Sequence, residues 1–405
     1  MVTQADILEI IASGENSKVE FKRDIVKNED VARELVALSN MQGGVVLLGV
    51  ANDHTVVGLT RDNIEEWVMT LCRDKIRPAI IPTFSVFKDV EPGKDVAVIE
   101  VERSIYVHSL YHGNKNTYYI RVGSQNREPT SEELARLFQQ RGMFRVDIQP
   151  IPGAKVQDLD QRRLKDYFCR IRQQEIPDDG DDAGWRTLLF NTELIVEDGV
   201  TLSAILLFGK NPNRFLPQAG IDAAIFPGIE KDYAMVERAT IRGPMTPLMN
   251  QDGKILETGL VEQAIDFVKR NTPVTATLES GRRIEKRAYP DEPIREAIVN
   301  ALIHRDYLLA GTDIELAVYQ DRLEIISPGK LRNGITPDRM RAGTRSTRNE
   351  VLKDVMRDYK YMEHMGMGVP RKIVRGMKEH NGTDPDLIEE GERFVVRLFA
   401  KKQPT

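Results

Sequence analysis

The sequence predicts an α/β protein, α+β with mixed sheets, divided into more than one domain. Three observations carry that prediction. The chain of 405 residues is long enough for two or three cores. Short apolar runs bounded by Gly, Pro and Asn alternate with stretches of helical period, and Gly43-Gly44-Val45-Val46-Leu47-Leu48-Gly49-Val50 is the clearest such run. The composition is that of an ordinary globular protein, with 41% hydrophobic, 29% charged and 6% aromatic residues.

Taken in order, the first residues read as a short amphipathic helix. The alternation of Val19 and Phe21 predicts a strand, and Val31, Leu35 and Leu38 mark a helix over 29–40. The glycine-bounded run at 43–50 reads as a buried strand. A helix over 64–77 and strands over 82–88, 95–101 and 117–122 complete the first third. Gly142, Pro150, Pro152 and Gly153 suggest a boundary. The middle reads as a helix over 159–173, an acidic loop over 177–182, strands over 201–209, 221–226 and 237–242, and a helix over 246–269. The last third reads as a strand over 275–284, a helix over 290–307, strands over 313–319 and 322–327, and a loop with Arg339, Arg341, Arg345 and Arg348. Helices over 350–362 and 370–380 and a strand over 394–399 follow. This gives three segments: 1–145, 150–285 and 286–405.

Composition excludes several classes. No apolar run approaches a membrane span, so no membrane partner is expected, and the first residues lack the pattern of a signal peptide. Two distant cysteines, Cys72 and Cys169, fit a reducing cytoplasm and no metal-ligand spacing. The net charge of −5 does not mark a nucleic-acid binder, yet residues 281–380 hold 20 Lys/Arg against 15 Asp/Glu. That local excess suits a phosphate-bearing ligand, or simply solvated helix faces.

The stretch 290–307 concentrates the candidate chemistry. Ile294, Ala297, Ile298, Ala301 and Leu302 form one apolar stripe, with Asp291 as the expected N-cap. Glu296, Asn300 and His304 stand at i, i+4 and i+8 on a neighbouring line. A carboxylate one turn before a carboxamide can hold a hydrated magnesium ion against a phosphate chain; the alternative is a solvated polar stripe.

The strings S-K-x-E-F-K-R, S-N-x-x-G-G-x-x-L-L-G-V and Y-I-R-x-G-S, in that order over about 13–140, resemble the Schlafen/AlbA-type domain, also known as a divergent "AAA-4" DNA-binding domain. The resemblance implies a nucleic-acid-binding α/β module for DNA or RNA. It implies contacts from Lys22, Arg23, Tyr119, Arg121, Ser124 and Arg127. Some Schlafen relatives are metal-dependent ribonucleases with two acids five residues apart and a third after the Gly-Gly strand. Glu15, Glu20 and Asp53 match that spacing. The other reading pairs Glu20 with Lys22 or Arg23 and leaves Asp53 to form a turn.

L-L-F-G-K-N-P-x-R-F-L-P at 206–217 extends the resemblance to longer bacterial and archaeal proteins that carry this domain. The last third resembles the ATPase-like domain found beside it, distantly similar to the GHKL fold of gyrase, Hsp90 and histidine kinases. In that family a Glu and an Asn four apart form the N-box, which Glu296 and Asn300 match. The resemblance implies ATP and Mg2+ as cofactors, with Asn300 holding the metal, Glu296 orienting water in an ATPase, and Gly366 and Gly368 cradling phosphate. Arg345 belongs to the expected lid, and His304 either contacts phosphate or organises that lid, or is a capping or packing residue of its helix. One feature departs: Ser327-Pro328-Gly329 stands where GHKL proteins carry the strand-end Asp that receives the adenine amino group. Ser327 and Gly329 then flank the base. No G-x-x-x-x-G-K-[ST] occurs, so nothing in the sequence supports a P-loop motor.

These readings converge on a cytoplasmic, homo-oligomeric nucleic-acid-binding protein regulated by ATP and Mg2+, as in transcriptional regulation. Two alternatives remain: a metal-dependent endonuclease acting in stress or phage defence, and an assembly protein whose nucleotide site is degenerate.

Overall fold

The computed structural model describes residues 4–279, 282–332, 335–362 and 366–400. The chain divides into two compact units, Met1–Phe144 and Arg145–Thr405.

The first unit is built on a four-stranded sheet in the order Val19–Lys22, Gly43–Leu48, Lys94–Glu102, Thr83–Glu91. The first pair is parallel and the others antiparallel. Both faces are covered. Val46 and Leu48 join Val31, Leu35 and Leu38 of the helix Asn28–Asn40 on one side, and Leu47 joins Ile7, Ile11 and Phe21 on the other. Burial on both faces is why this strand is apolar at successive positions rather than at alternate ones.

The second unit carries a six-stranded sheet in the order Glu237–Ile241, Ile221–Ile225, Ile314–Val318, Arg322–Pro328, Arg393–Phe399, Asp386–Glu390. Only Ile221–Ile225 and Ile314–Val318 run parallel. A single apolar cluster joins the sheet to the helices Leu260–Asn271 and Asp291–His304, and draws in residues from Val146 to Leu398.

Several elements differ from the sequence expectation. The run at 201–209 is the helix Leu202–Phe208, every residue of which is buried. Apolar side chains on all sides leave no periodicity to read, and the Thr201 hydroxyl caps the helix by accepting from the Ala204 N–H at 3.3 Å. The helix expected from 246 begins only at Leu260, because a turn at Asn250–Gly253 makes a hairpin of Leu248–Met249 and Ile255–Glu257. The strand expected over 275–284 is a hairpin of Val274–Glu279 and Arg282–Arg287. The strand over 117–122 breaks at Tyr119, whose carbonyl accepts instead from the Asn40 side chain at 2.9 Å. Two expected helices are partly π-helical, at Asp166–Ile171 and Gly368–Arg375. The helix Asp182–Asn191, capped by Asp181, emerges from what read as the end of an acidic loop.

Candidate nucleotide site and the buried ionic centre

The helix Asp291–His304 buries Ile294, Ala297, Ile298, Ala301 and Leu302, as its stripe predicts. Its N-cap is Pro290, with no side-chain cap, so Asp291 is the first helical residue rather than the cap. The polar line packs on itself, with the Asn300 amide donating to Glu296 Oε1 at 3.2 Å. A cavity of about 130 Å³ lies between this helix and the sheet. Glu296, Asn300, His304, Ser327, Gly329, Arg345, Gly366 and Gly368 all line it. Four cationic side chains not singled out individually as site residues in the sequence also line it: Lys330, Arg332, Arg348 and Lys353. Its apolar wall is formed by Ala297, Ile325, Met340, Met362, Val369 and Phe394.

Two glycines fix the close approach at one end. A Cβ on Gly368 would stand 1.9 Å from Glu296 Oε1, so only glycine lets the backbone lie against the buried carboxylate. Gly366 has φ +73°, and a Cβ there would stand 2.4 Å from the Gly343 carbonyl. The arginine loop therefore touches the glycine turn, with the exposed Arg345 at the same corner.

The opposite end is cationic. Burial pushes the His304 imidazole down to about 4, and the charges of Arg348, Arg332 and Lys353 add to the effect. The ring is therefore neutral at pH 7. Ser327 Oγ donates to the Ala301 carbonyl at 2.9 Å, which commits its proton to the helix and leaves its oxygen as an acceptor. A carboxylate does stand beside this strand end, but it comes from another element. A Cβ on Gly329 would lie 2.7 Å from Asp306 Cβ, and Asp306 pairs with Arg348 at 2.8 Å, both side chains 1% exposed.

In the first unit the acidic residues form a different centre. Arg121, expected at a nucleic-acid surface, is buried with its side chain only 1% exposed. It donates to the carbonyls of Asn16 and Val19 and pairs with Glu20 at 2.7 Å and Glu34 at 3.2 Å. It ties the strand Ile120–Val122 to the first strand and to the helix Asn28–Asn40, and is closed to an outside ligand, because the guanidinium fork has found carboxylate and carbonyl partners inside. Lys22 also binds Glu20, as the pairing alternative anticipated. Burial raises the Glu34 carboxyl, with the Glu20 charge adding to it. Glu15 accepts from the Phe21 N–H at 2.9 Å, and Asp53 from the Thr55 N–H at 3.1 Å in an exposed turn. Among the described residues no three His, Cys, Asp or Glu side chains gather as a metal site. Arg23, Ser124 and Arg127 are exposed, Arg127 pairing with Glu133 at 2.6 Å, while Tyr119 is partly buried with the Arg33 guanidinium 6.0 Å from its ring centre. No described helix is long and apolar enough to cross a membrane.

Comparison with known families decides the identity of the two parts. Residues 15–130 match the family "Schlafen, AlbA_2", and residues 311–398 match "Putative ATP-dependent DNA helicase recG C-terminal". The chain carries a Schlafen/AlbA_2 domain and a C-terminal ATPase-type domain. The Schlafen/AlbA_2 match spans the whole ionic centre of Glu15, Glu20, Glu34 and Arg121. The ATPase-type match spans Ser327, Gly329, Arg345, Gly366 and Gly368, and begins after Glu296, Asn300 and His304. The pairing places the protein with nucleic-acid-binding, ATP-related proteins. The DIP2311 protein of Corynebacterium diphtheriae, a solved structure, aligns at 19% identity and a TM-score of 0.47, over 98% of this chain and 80% of its own. No curated protein matches the chain.

Proposed function

We propose that this protein binds nucleic acid under the control of a nucleotide, ATP with Mg2+, held in the cavity beside the helix Asp291–His304. The observation that carries the reading is the convergence of Glu296, Asn300, Gly366, Gly368 and Arg345, from separate elements, on one cavity with an apolar wall and a cationic end. An apolar slot suits a base, and backbone N–H groups with cations suit phosphates. The residues also fit a hydrated Mg2+. The Asn300 amide donates its N–H to Glu296, which leaves the amide oxygen for the ion, and Gly368 lets the backbone lie against the Glu296 carboxylate. Bound there, Mg2+ neutralises phosphate charge, while Glu296 is the group able to orient a water.

At about 130 Å³ the cavity is smaller than the roughly 300–1,000 Å³ of small-molecule sites. Nucleotide entry therefore goes with separation of the Gly343–Arg345 loop from Gly366. That displacement is the switch: the arginine loop re-forms around the γ-phosphate and alters self-association or the grip on nucleic acid, as in a cytoplasmic transcriptional regulator. The nuclease reading draws no support from the ionic centre, where Glu15 and Glu20 are engaged by protein groups.

Isothermal titration tests the reading. ATP with Mg2+ binds the wild type, and Asn300→Ala weakens binding at least tenfold and removes its Mg2+ dependence. No heat with ATP or ADP at millimolar concentration refutes the nucleotide site. Nucleic-acid affinity or sedimentation unchanged across an ATP titration refutes the coupling.

A further inference from the structure

One face of the six-stranded sheet packs on the helices Leu260–Asn271 and Asp291–His304. On the other face Phe226, Ala317 and Tyr319 form a small cluster of their own, with Ala224 partly buried against it. Ala224 and Ala317 are register partners on adjacent strands, so two small side chains keep the middle of this face low. A groove of about 600 Å³ lies there, lined by Ala224, Ala317 and Ile326 from the strands and by Met235 and Leu309 from flanking loops. None of these residues lines the nucleotide cavity. The loop that carries Met235, residues 227–236, holds its apolar side chains in water: Tyr233 is 100% exposed, Val236 68% and Ile229 55%. Single exposed apolar residues are ordinary. Four large ones between Ile229 and Val236, beside an apolar groove, mark a contact surface.

The charges identify the occupant. The four carboxylates that line the groove are each paired within the chain: Asp222 and Asp313 with Arg242, Glu315 with Lys231, and Glu392 with Lys330. Its cations are in surplus. Arg393 is exposed and has no ion pair among the described residues, and Arg238 stands 3.8 Å from an Asp222 that Arg242 already holds at 2.8 Å. The loop is the converse. Glu230 and Asp232 are exposed with no ion pair among the described residues, and Lys231 between them is taken by Glu315 at 2.7 Å. An apolar loop with surplus acid complements an apolar groove with surplus base. Within one chain Lys231 and Met235 line the groove while Tyr233 stands wholly in water, so the loop does not fill its own groove. We propose that two copies of this chain pair about a two-fold axis, each laying the apolar side chains of its 229–236 loop into the groove of the other. Each copy offers both halves of the contact, so the symmetry closes and no loop is left over. The inference goes beyond the function proposed above and needs no nucleotide.

Sedimentation velocity of the full chain without nucleotide, up to about 100 µM, tests the pairing, a range that reaches the micromolar end of protein–protein affinity. Wild type sediments as a dimer that weakens as salt rises. Y233D/V236D changes only exposed side chains and removes the two most exposed anchors of the loop. Losing an interface anchor weakens a contact about thirtyfold, and a two-fold interface makes each contact twice, so the dimer constant rises on the order of a thousandfold. E230R/D232R and R238E/R393E each set like charges against one another and weaken the dimer at least about tenfold, and the two sets combined in one chain restore it. Leu256→Asp, which alters a 61% exposed apolar residue elsewhere in the same unit, leaves the dimer as in wild type. A wild type that stays monomeric overturns the inference. So does a dimer that Y233D/V236D leaves intact, one lost equally in Leu256→Asp, or one that the combined charge reversal fails to restore. Binding of phosphatidylcholine vesicles by a monomeric wild type, abolished in Y233D/V236D, overturns it in favour of a lipid surface. None of these outcomes touches the ATP titration, which reads the cavity on the other face of the sheet.

Discussion

His304→Gln isolates the electrostatics of the cavity. The imidazole titrates at about 4 in the folded chain against 6.5 in the unfolded one. Between those values the native state binds fewer protons than the unfolded state, so stability falls as pH falls. The loss begins near pH 6.5 and is complete below about pH 4. At pH 5 the difference amounts to at most about 2 kcal/mol, taking about 1.4 kcal/mol per unit of pH across the window. Glutamine keeps a polar side chain of similar reach and cannot titrate. Urea unfolding of wild type and His304→Gln at pH 7 and pH 5 should therefore diverge by up to that amount, with the wild type losing more. Imidazole NMR reads the same quantity directly: the resonance missing from the variant should titrate near 4, and ATP should move it upward, because phosphate offsets the cations that hold it down. A midpoint near 6.5, or the same pH dependence in both proteins, refutes the assignment of a half-buried, cation-flanked imidazole.

Other perturbations have definite expected outcomes. Gly368→Ala places a methyl 1.9 Å from Glu296 Oε1 and should cost about 1–3 kcal/mol as an overpacked contact; thermal melting reads it, and Glu296→Ala in the same chain should recover most of the loss. Arg121→Met leaves Glu20 and Glu34 buried without their guanidinium and should cost about 3–5 kcal/mol by chemical denaturation. Arg127→Ala, which breaks an exposed pair, should stay within about 1 kcal/mol in the same assay. Arg305, 0% exposed, donates to the carbonyls of Asp306, Leu309 and Thr312, so Arg305→Met should unfold the loop after the site helix and lower the melting temperature.

The site helix was legible because its two faces differ: a 3.6-residue apolar stripe beside a polar line survives any tertiary context. The helix Leu202–Phe208 was not, because full burial makes every face apolar and erases the period that separates helix from strand. The Glu/Asn pair stood out by its spacing, but it and the cavity's glycines read as a nucleotide site through the resemblance to the GHKL fold. Lys330, Arg332 and Lys353 did not stand out, and Arg348 reads only as one of the loop arginines, since nothing in a linear string tells a cation facing a cavity from one facing water. Arg121 misled for the converse reason: a basic residue in a polar strand reads as surface, and only the fold brings two buried glutamates to it.

The parallel pair at the centre of the larger sheet bears on how this protein can be dissected. Ile221–Ile225 and Ile314–Val318 are neighbours in space, though the hairpin and the site helix separate them along the chain. A fragment cut to the recG-type match at 311–398 would keep Ile314–Val318 but lose both the strand that covers its edge and the helix that supplies Glu296 and Asn300. Such a piece exposes an apolar edge ready to pair with other copies, and its insolubility would say nothing about nucleotide affinity. Transplanting or truncating the ATPase-type domain therefore has to keep Ile221–Phe399, which holds all six strands and the site helix, within the compact unit that runs from Arg145.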